Sequence, residues 1–224
     1  MTLTLYYHPL AAYCHKVLIA LYEAGTAFDK VLVDLGDPAA RAAHIKRWPT
    51  GKMPQLHDGR HDRLIPETSI IIEYLDRHYP APRPLLPADP DARLDVRLWD
   101  RLFDLYVSEP MQRIVGDRLR PDGQKDPAGP AEARGTLDMA YAMIDGQVAR
   151  GQWVVRDDFS MADCAAAPAL FYASIIHPIA DRHRHLRGYV DRLMSRPSVE
   201  RVIAEARPYF SFFPFNQDIP DRFR

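Results

Sequence analysis

The chain has 224 residues, 29 Lys plus Arg against 30 Asp plus Glu, a formal net charge of −1, and 47% hydrophobic residues. That charge balance lacks the basic excess that drives binding to a phosphate backbone, so nucleic acid is not expected as a partner. The apolar content suffices for real cores. No run approaches the length of a membrane span, the start does not read as a signal peptide, and two cysteines make no secreted disulfide framework, so a soluble, cytoplasmic protein is expected.

Thr2 to Tyr7 alternates as a short strand and stops at Pro9. Val17 to Ala24 follows with helical spacing and a Gly25 stop. Phe28 to Asp34 returns to β-type residues, and Asp37–Pro38 opens a short helix to Arg47 as N-cap and first position. Two brief strands, Gln55 to His57 and Arg63 to Ile65, are joined through Asp58–Gly59, and Pro66–Glu67–Thr68 opens a third helix lasting to about Tyr79. The order βαβ–α–ββα predicts a small α/β module with one right-handed parallel crossover and a closing hairpin.

Residues 80–90 are proline-rich and predict a stiff connection. From 91 to 224 the pattern is helical. Asp91 to Arg120 carries Leu94, Leu98, Leu102, Leu105 and Tyr106 at helical spacing, followed by helices at 131–150, 161–176, 183–195 and 197–206. Ser160–Met161–Ala162–Asp163 is a capping box with Asp in place of Glu or Gln, a folding device. The aromatic tail from Pro208 to Phe215 is expected to fold back on the helical module, since exposed it would be a liability. The predicted organisation is thus an α/β domain over 1–79, a linker over 80–90 and an all-α domain over 91–224.

Chemistry is expected where strands hand over to helices, because ligands of open α/β sheets sit off strand carboxyl ends beside helix N-termini. Tyr7, Tyr13 and Cys14 lie at the first such place; His8 and His15 read as solvated. A trans bond is the ordinary state of Met53–Pro54, whereas a cis bond would leave the Met53 backbone facing outward to pair with an extended peptide. At the start of the third helix, Thr68 can donate to a carboxylate and Glu67 can take an ammonium, a combination that fits an α-amino-acid end.

These segments resemble the cytosolic glutathione transferases over the whole chain. The residues that carry the resemblance are Lys16 to Leu21, Gly51 to Leu56, Pro66 to Leu75 and Asp158 to Asp163, in order and at family spacing. The resemblance implies a thioredoxin-like first domain, a helical second domain, a homodimer and a cis bond at Pro54. It implies glutathione as co-substrate and no metal. Met53 would hold the cysteinyl part, Glu67 and Thr68 the γ-glutamyl end, and Lys52 would lie near the glycyl carboxylate. The serine or cysteine of some classes falls on Ala11, which has neither hydroxyl nor thiol. Tyr7, Tyr13, Cys14 or backbone N–H groups alone therefore remain as thiol activators. The implied second-substrate pocket takes Leu10, Ala11, Tyr106, Met111 and Arg113, with Val107 to Pro110 bending the helix. The implied activity is attack of glutathione thiolate on a small hydrophobic electrophile. A Cys14-dependent thiol transferase, an inactive glutathione-binding protein, and isomerase or dehalogenase chemistry stand as alternatives.

Overall fold

A computed structural model describes residues 2–224. Contacts divide the chain into two compact units, Met1–Leu86 and Pro87–Arg224.

In the first unit, strands β1 (Leu3–Tyr7), β2 (Phe28–Leu32), β3 (Gln55–Asp58) and β4 (Arg63–Pro66) form a sheet in the order β2-β1-β3-β4. β1 and β2 run parallel, while β3 opposes both β1 and β4. Leu3 and Leu5 point to one face of β1 and are buried, as the period-two alternation of a strand requires. Helices α1 (Ala12–Ala24) and α3 (Thr68–His78) pack against each other. Val17, Leu18, Leu21, Ile71, Ile72 and Leu75 supply their buried positions. Helix α2 (Pro38–Arg47) opens as the sequence predicts, with the Asp37 carboxylate accepting from the Ala39 N–H at 3.0 Å. Gly25 ends α1 at φ 64°, a left-handed turn that other residues resist.

The turn signal at Asp58–Gly59 resolves into a longer connection, with Asp58 itself the last residue of β3. The connection runs from Gly59 to Asp62, the left-handed position falls on Asp62 (φ 47°), and the Asp58 carboxylate takes the N–H groups of Arg60 and His61. It is thus an Asx-type turn. The same carboxylate accepts Tyr74 Oη at 2.7 Å, Tyr79 Oη at 2.6 Å and His61 Nδ1 at 2.7 Å, which ties the hairpin to the end of α3.

The second unit holds α4 (Pro90–Leu102), α5 (Glu109–Leu119), α6 (Gly129–Val148), α7 (Met161–Ile176), α8 (Arg184–Met194) and α9 (Pro197–Ala206). Pro90 is the first residue of α4, capped by Asp89, and so belongs to the helix rather than to the preceding connection. The predicted bend at Val107–Pro110 is instead a wide π turn over Phe103–Ser108, in which the Glu109 N–H reaches five residues back to the Asp104 carbonyl. Pro110 explains it: its ring would clash with the Tyr106 carbonyl and has no N–H to offer it. The leucine stripe of α4 has helical spacing, but its first two members face outward and only Leu102 is buried. Leu94 and Leu98 are 60% and 62% exposed, while Ala92, Val96, Asp100, Phe103 and Asp104 are buried. The capping box forms at Ser160 and Asp163, whose carboxylate also accepts Tyr189 Oη at 2.6 Å. The aromatic tail folds onto α7, Phe210 against Phe171 and Phe213 against Tyr172, and leaves Phe212 exposed. Among the described residues no helix is long and apolar enough to cross a membrane.

Candidate functional site

The sheet register brings the sequence-derived candidates of the first unit to one edge. Tyr6 pairs with Gln55, and Gln55 pairs with Pro66. The carboxyl end of β1, the entry to β3 and the exit of β4 therefore lie side by side, and α1 and α3 begin there. Lys16 Nζ donates to Ser69 Oγ at 3.0 Å, linking the first turns of the two helices.

The start of α1 has no side-chain cap. Ala11 occupies the N-cap with extended geometry (φ −80°, ψ 114°) and has no side-chain acceptor, while its carbonyl takes the Cys14 N–H at 2.8 Å and the His15 N–H at 3.1 Å. The helix itself cannot satisfy its first N–H groups, so those of its first turn carry the positive helix end toward this edge. Tyr7 and Tyr13 are half-buried here, with Lys30 Nζ 5.9 Å from the centroid of the Tyr7 ring. His8 is half-buried and accepts the Leu10 N–H on Nδ1. Burial lowers its pKa, partly opposed by Asp34. His15 is buried with Nε2 on the Pro9 carbonyl, so neither histidine is the freely solvated group expected.

Cys14 does not have the setting of a reactive thiol. It is completely buried, and burial pushes the thiol up to about 12 despite a hydrogen bond to the His8 backbone. A thiolate forms at neutral pH only where the site stabilises the anion more than burial penalises it. This setting argues against the expectation that Cys14 serves as nucleophile or activator.

The Met53–Pro54 bond is cis, the geometry the family resemblance implies. The β3 ladder begins at Gln55, so the Met53 peptide stands beyond the last pair. Pro54 is buried, Met53 half-buried and Lys52 exposed. Across the edge, Glu67 sits at φ 66° and ψ 122°, a conformation that costs about 1–3 kcal/mol for a residue with a side chain. Its carbonyl still receives the Ile71 N–H at 2.8 Å, so α3 starts immediately after the strained residue. Glu67 is exposed, and Thr68 is buried in the first turn. Lys52, Met53, Glu67 and Thr68 can thus offer, in turn, a cation, a peptide edge, a carboxylate and a helix N-terminus with a hydroxyl.

Of the residues expected around a second substrate, Leu10 and Ala11 are half-buried in the first unit and Tyr106 is exposed in the second. Met111 is buried, and Arg113 is held by Asp126 at 3.5 Å and Glu132 at 3.1 Å. Those two therefore read as core and surface ion-pair residues. Lys16, His44 and Gln55 are buried polar groups behind the edge that the sequence reading passed over. Only Lys16 carried a sequence signal, as a cation heading an apolar run that is buried to Leu21; His44 and Gln55 carried none.

Comparison with known proteins gives a consistent picture. Residues 5–83 match the family described as glutathione S-transferase, N-terminal domain, and residues 103–197 its C-terminal domain. A stringent starvation protein A homolog of Coxiella burnetii is 31% identical over 169 residues, 75% of each chain. Glutathione S-transferase GstB of Escherichia coli is 24% identical over 84% of this chain and 91% of its own. A glutathione S-transferase from Methylobacillus flagellatus, solved with GSH bound, is 28% identical with a TM-score of 0.80, covering 90% of this chain and 98% of its own. One from Methylobacterium radiotolerans, in complex with glutathione sulfonate, is 30% identical with a TM-score of 0.78, covering 90% of this chain and 94% of its own.

Proposed function

We propose that this chain, which belongs to the glutathione S-transferase family, binds glutathione at the shared edge of its first unit and ionises its thiol. The observation that carries the reading is the Met53 peptide standing beyond the β3 ladder at the edge where α1 and α3 begin, with an exposed carboxylate at Glu67. In this reading the Met53 peptide pairs with the cysteinyl residue as an added strand would. Thr68 and the start of α3 take the γ-glutamyl carboxylate, Glu67 takes its ammonium, and Lys52 stands near the glycyl carboxylate.

Ionising a thiol of ordinary pKa about 8.5 near neutral pH requires lowering it by about two units, about 2.7 kcal/mol. One charge-assisted hydrogen bond and the uncapped end of α1 together supply an amount of that order. With Ala11 inert and Cys14 buried, the donors are the first-turn N–H groups of α1, aided by the Tyr7 or Tyr13 hydroxyl. The thiolate then attacks a small hydrophobic electrophile held close to it. The outward Leu94–Leu98 stripe of α4 supports a homodimer that covers it. Among the described residues neither Cys14 nor Cys164 forms a disulfide, which suits a reducing cytoplasm.

The test is a titration with glutathione that follows the ultraviolet absorbance of its thiolate in the wild type, Tyr7→Phe, Tyr13→Phe and Cys14→Ala. A thiolate band at neutral pH is expected in the wild type and in Cys14→Ala, and a tyrosine variant that loses it names the hydroxyl involved. Binding without a thiolate band would instead establish a glutathione-binding protein without transferase chemistry. That second reading is favoured by the missing side-chain activator at Ala11.

A further inference from the structure

We infer that His44 and Gln55 form a buried positioning pair that aims the Met53 N–H out of the sheet edge, and that they are kept for this and not for stability. Both side chains are fully buried, one on α2 and one at the first position of β3. His44 Nε2 lies 3.1 Å from the Lys52 carbonyl oxygen and 3.1 Å from Gln55 Nε2. Gln55 Nε2 is itself 3.4 Å from the same carbonyl and 3.5 Å from the His44 carbonyl. Two side chains from different elements therefore converge on one peptide oxygen.

That oxygen belongs to the same planar peptide as the Met53 N–H. In a trans peptide C=O and N–H point in opposite directions, so a Lys52 carbonyl held inward turns the Met53 N–H outward. Gly51 contributes to the approach: it sits at φ 62°, and a Cβ there would stand 3.0 Å from Ile45 Cγ1 on α2. A Cβ would press on Ile45 there, and the left-handed φ disfavours any side chain.

The pair is a poor core. His44 Nδ1 and Gln55 Oε1 are buried with no hydrogen-bond partner among the described residues. Buried polar atoms left unmatched destabilise; an apolar pair of similar volume would remove these two but take away the side-chain donors to the Lys52 carbonyl, so the pair brings little net stability. A polar pair with little net stability to offer fits a positioning role better than a core-building one.

The inference uses the glutathione-binding reading for one of its readouts and stands apart from it for the other. His44→Phe and Gln55→Leu, singly and together in the full chain, are compared with the wild type for melting temperature, steady-state kinetics and the amide NMR resonance of Met53. The expected result is a little-changed melting temperature, a KM for glutathione raised about tenfold, kcat within about twofold, and a shifted or split Met53 resonance. If His44→Phe folds poorly, Gln55→Val carries the same test, because a β-branched residue suits a strand start. An unmoved Met53 resonance with unchanged KM overturns the inference, as does a KM that rises only in step with a falling melting temperature. A wild type that does not bind glutathione removes the functional reading alone, and the Met53 resonance then decides the positioning role.

Discussion

Cys14 links folding to pH in a way that can be measured. Its thiol is wholly buried and pushed up to about 12 by that burial, while an unfolded chain presents an ordinary thiol near about 8.5. The folded value lies above the unfolded one, so the stability contributed by the protonated thiol is complete below about pH 8.5 and drains away as pH rises toward about 12. Each pH unit in that window removes about 1.4 kcal/mol, and by about pH 10 the accumulated loss is about 2 kcal/mol. Urea unfolding of the wild type and Cys14→Ala across about pH 7.5 to 10 reads this directly. The substitution lowers the absolute stability through the small cavity it leaves, but its stability should fall less steeply with pH. Tyr74, Tyr79 and Tyr141, each also raised by burial, contribute alike to both proteins and cancel in the difference. A second readout is alkylation of the native protein near neutral pH, where a thiol at about 12 is ionised to only about one part in 10⁴ to 10⁵. Equal pH slopes for the two proteins, or rapid stoichiometric labelling of native Cys14, would refute the account and reinstate Cys14 as a reactive residue.

Asp58 and Glu67 each carry a further expected outcome. Burial alone would raise the Asp58 carboxyl, but the hydrogen bonds from Tyr79, His61, Tyr74 and the Arg60 N–H outweigh it and hold the group below the usual carboxylate range. Its contribution is therefore present above about pH 4 and lost as pH falls further. Asp58→Asn turns an amide NH₂ toward these donors and should destabilise by about 3 kcal/mol, with a flatter acid limb in urea unfolding, while Asp62→Asn at the exposed turn should change little. Glu67→Gly should raise stability by about 1 kcal/mol by relieving the φ of 66°, yet weaken glutathione binding about tenfold by calorimetry. A destabilised Glu67→Gly would show that the backbone there is not strained.

The element order was readable because its signals are local: Asp37–Pro38, Gly25 and the Ser160–Asp163 box each act within one turn of chain. The four-residue hairpin connection was not, since it depends on the Asp58 carboxylate being occupied by Tyr74 and Tyr79 from α3. Likewise the period of Leu94 and Leu98 marks a helix without telling which face meets the core, and here Asp100 and Asp104 turn inward instead. At the candidate site, residue types suggested the recognition groups Glu67 and Thr68, whereas burial decided against Cys14. His44 and Gln55 gain meaning only once α2 and β3 are brought together, because they are eleven positions apart in the chain.

The wide turn at Phe103–Ser108 has a consequence for the whole rod from α4 to α5. Its inward residues recur mostly every fourth position: Ala92, Val96, Asp100, Asp104, Ser108 and then Met111. In an ideal α-helix each such step overshoots a full rotation by about 40°, so the inward line would wind away from any neighbour within a few turns. The wide turn advances each residue by a smaller angle and takes back roughly one residue's worth of rotation. It works as a phase corrector, resetting the accumulated drift midway without interrupting the rod. That is how α7 can run alongside α4, the wide turn and α5 in succession and meet an inward line in all three.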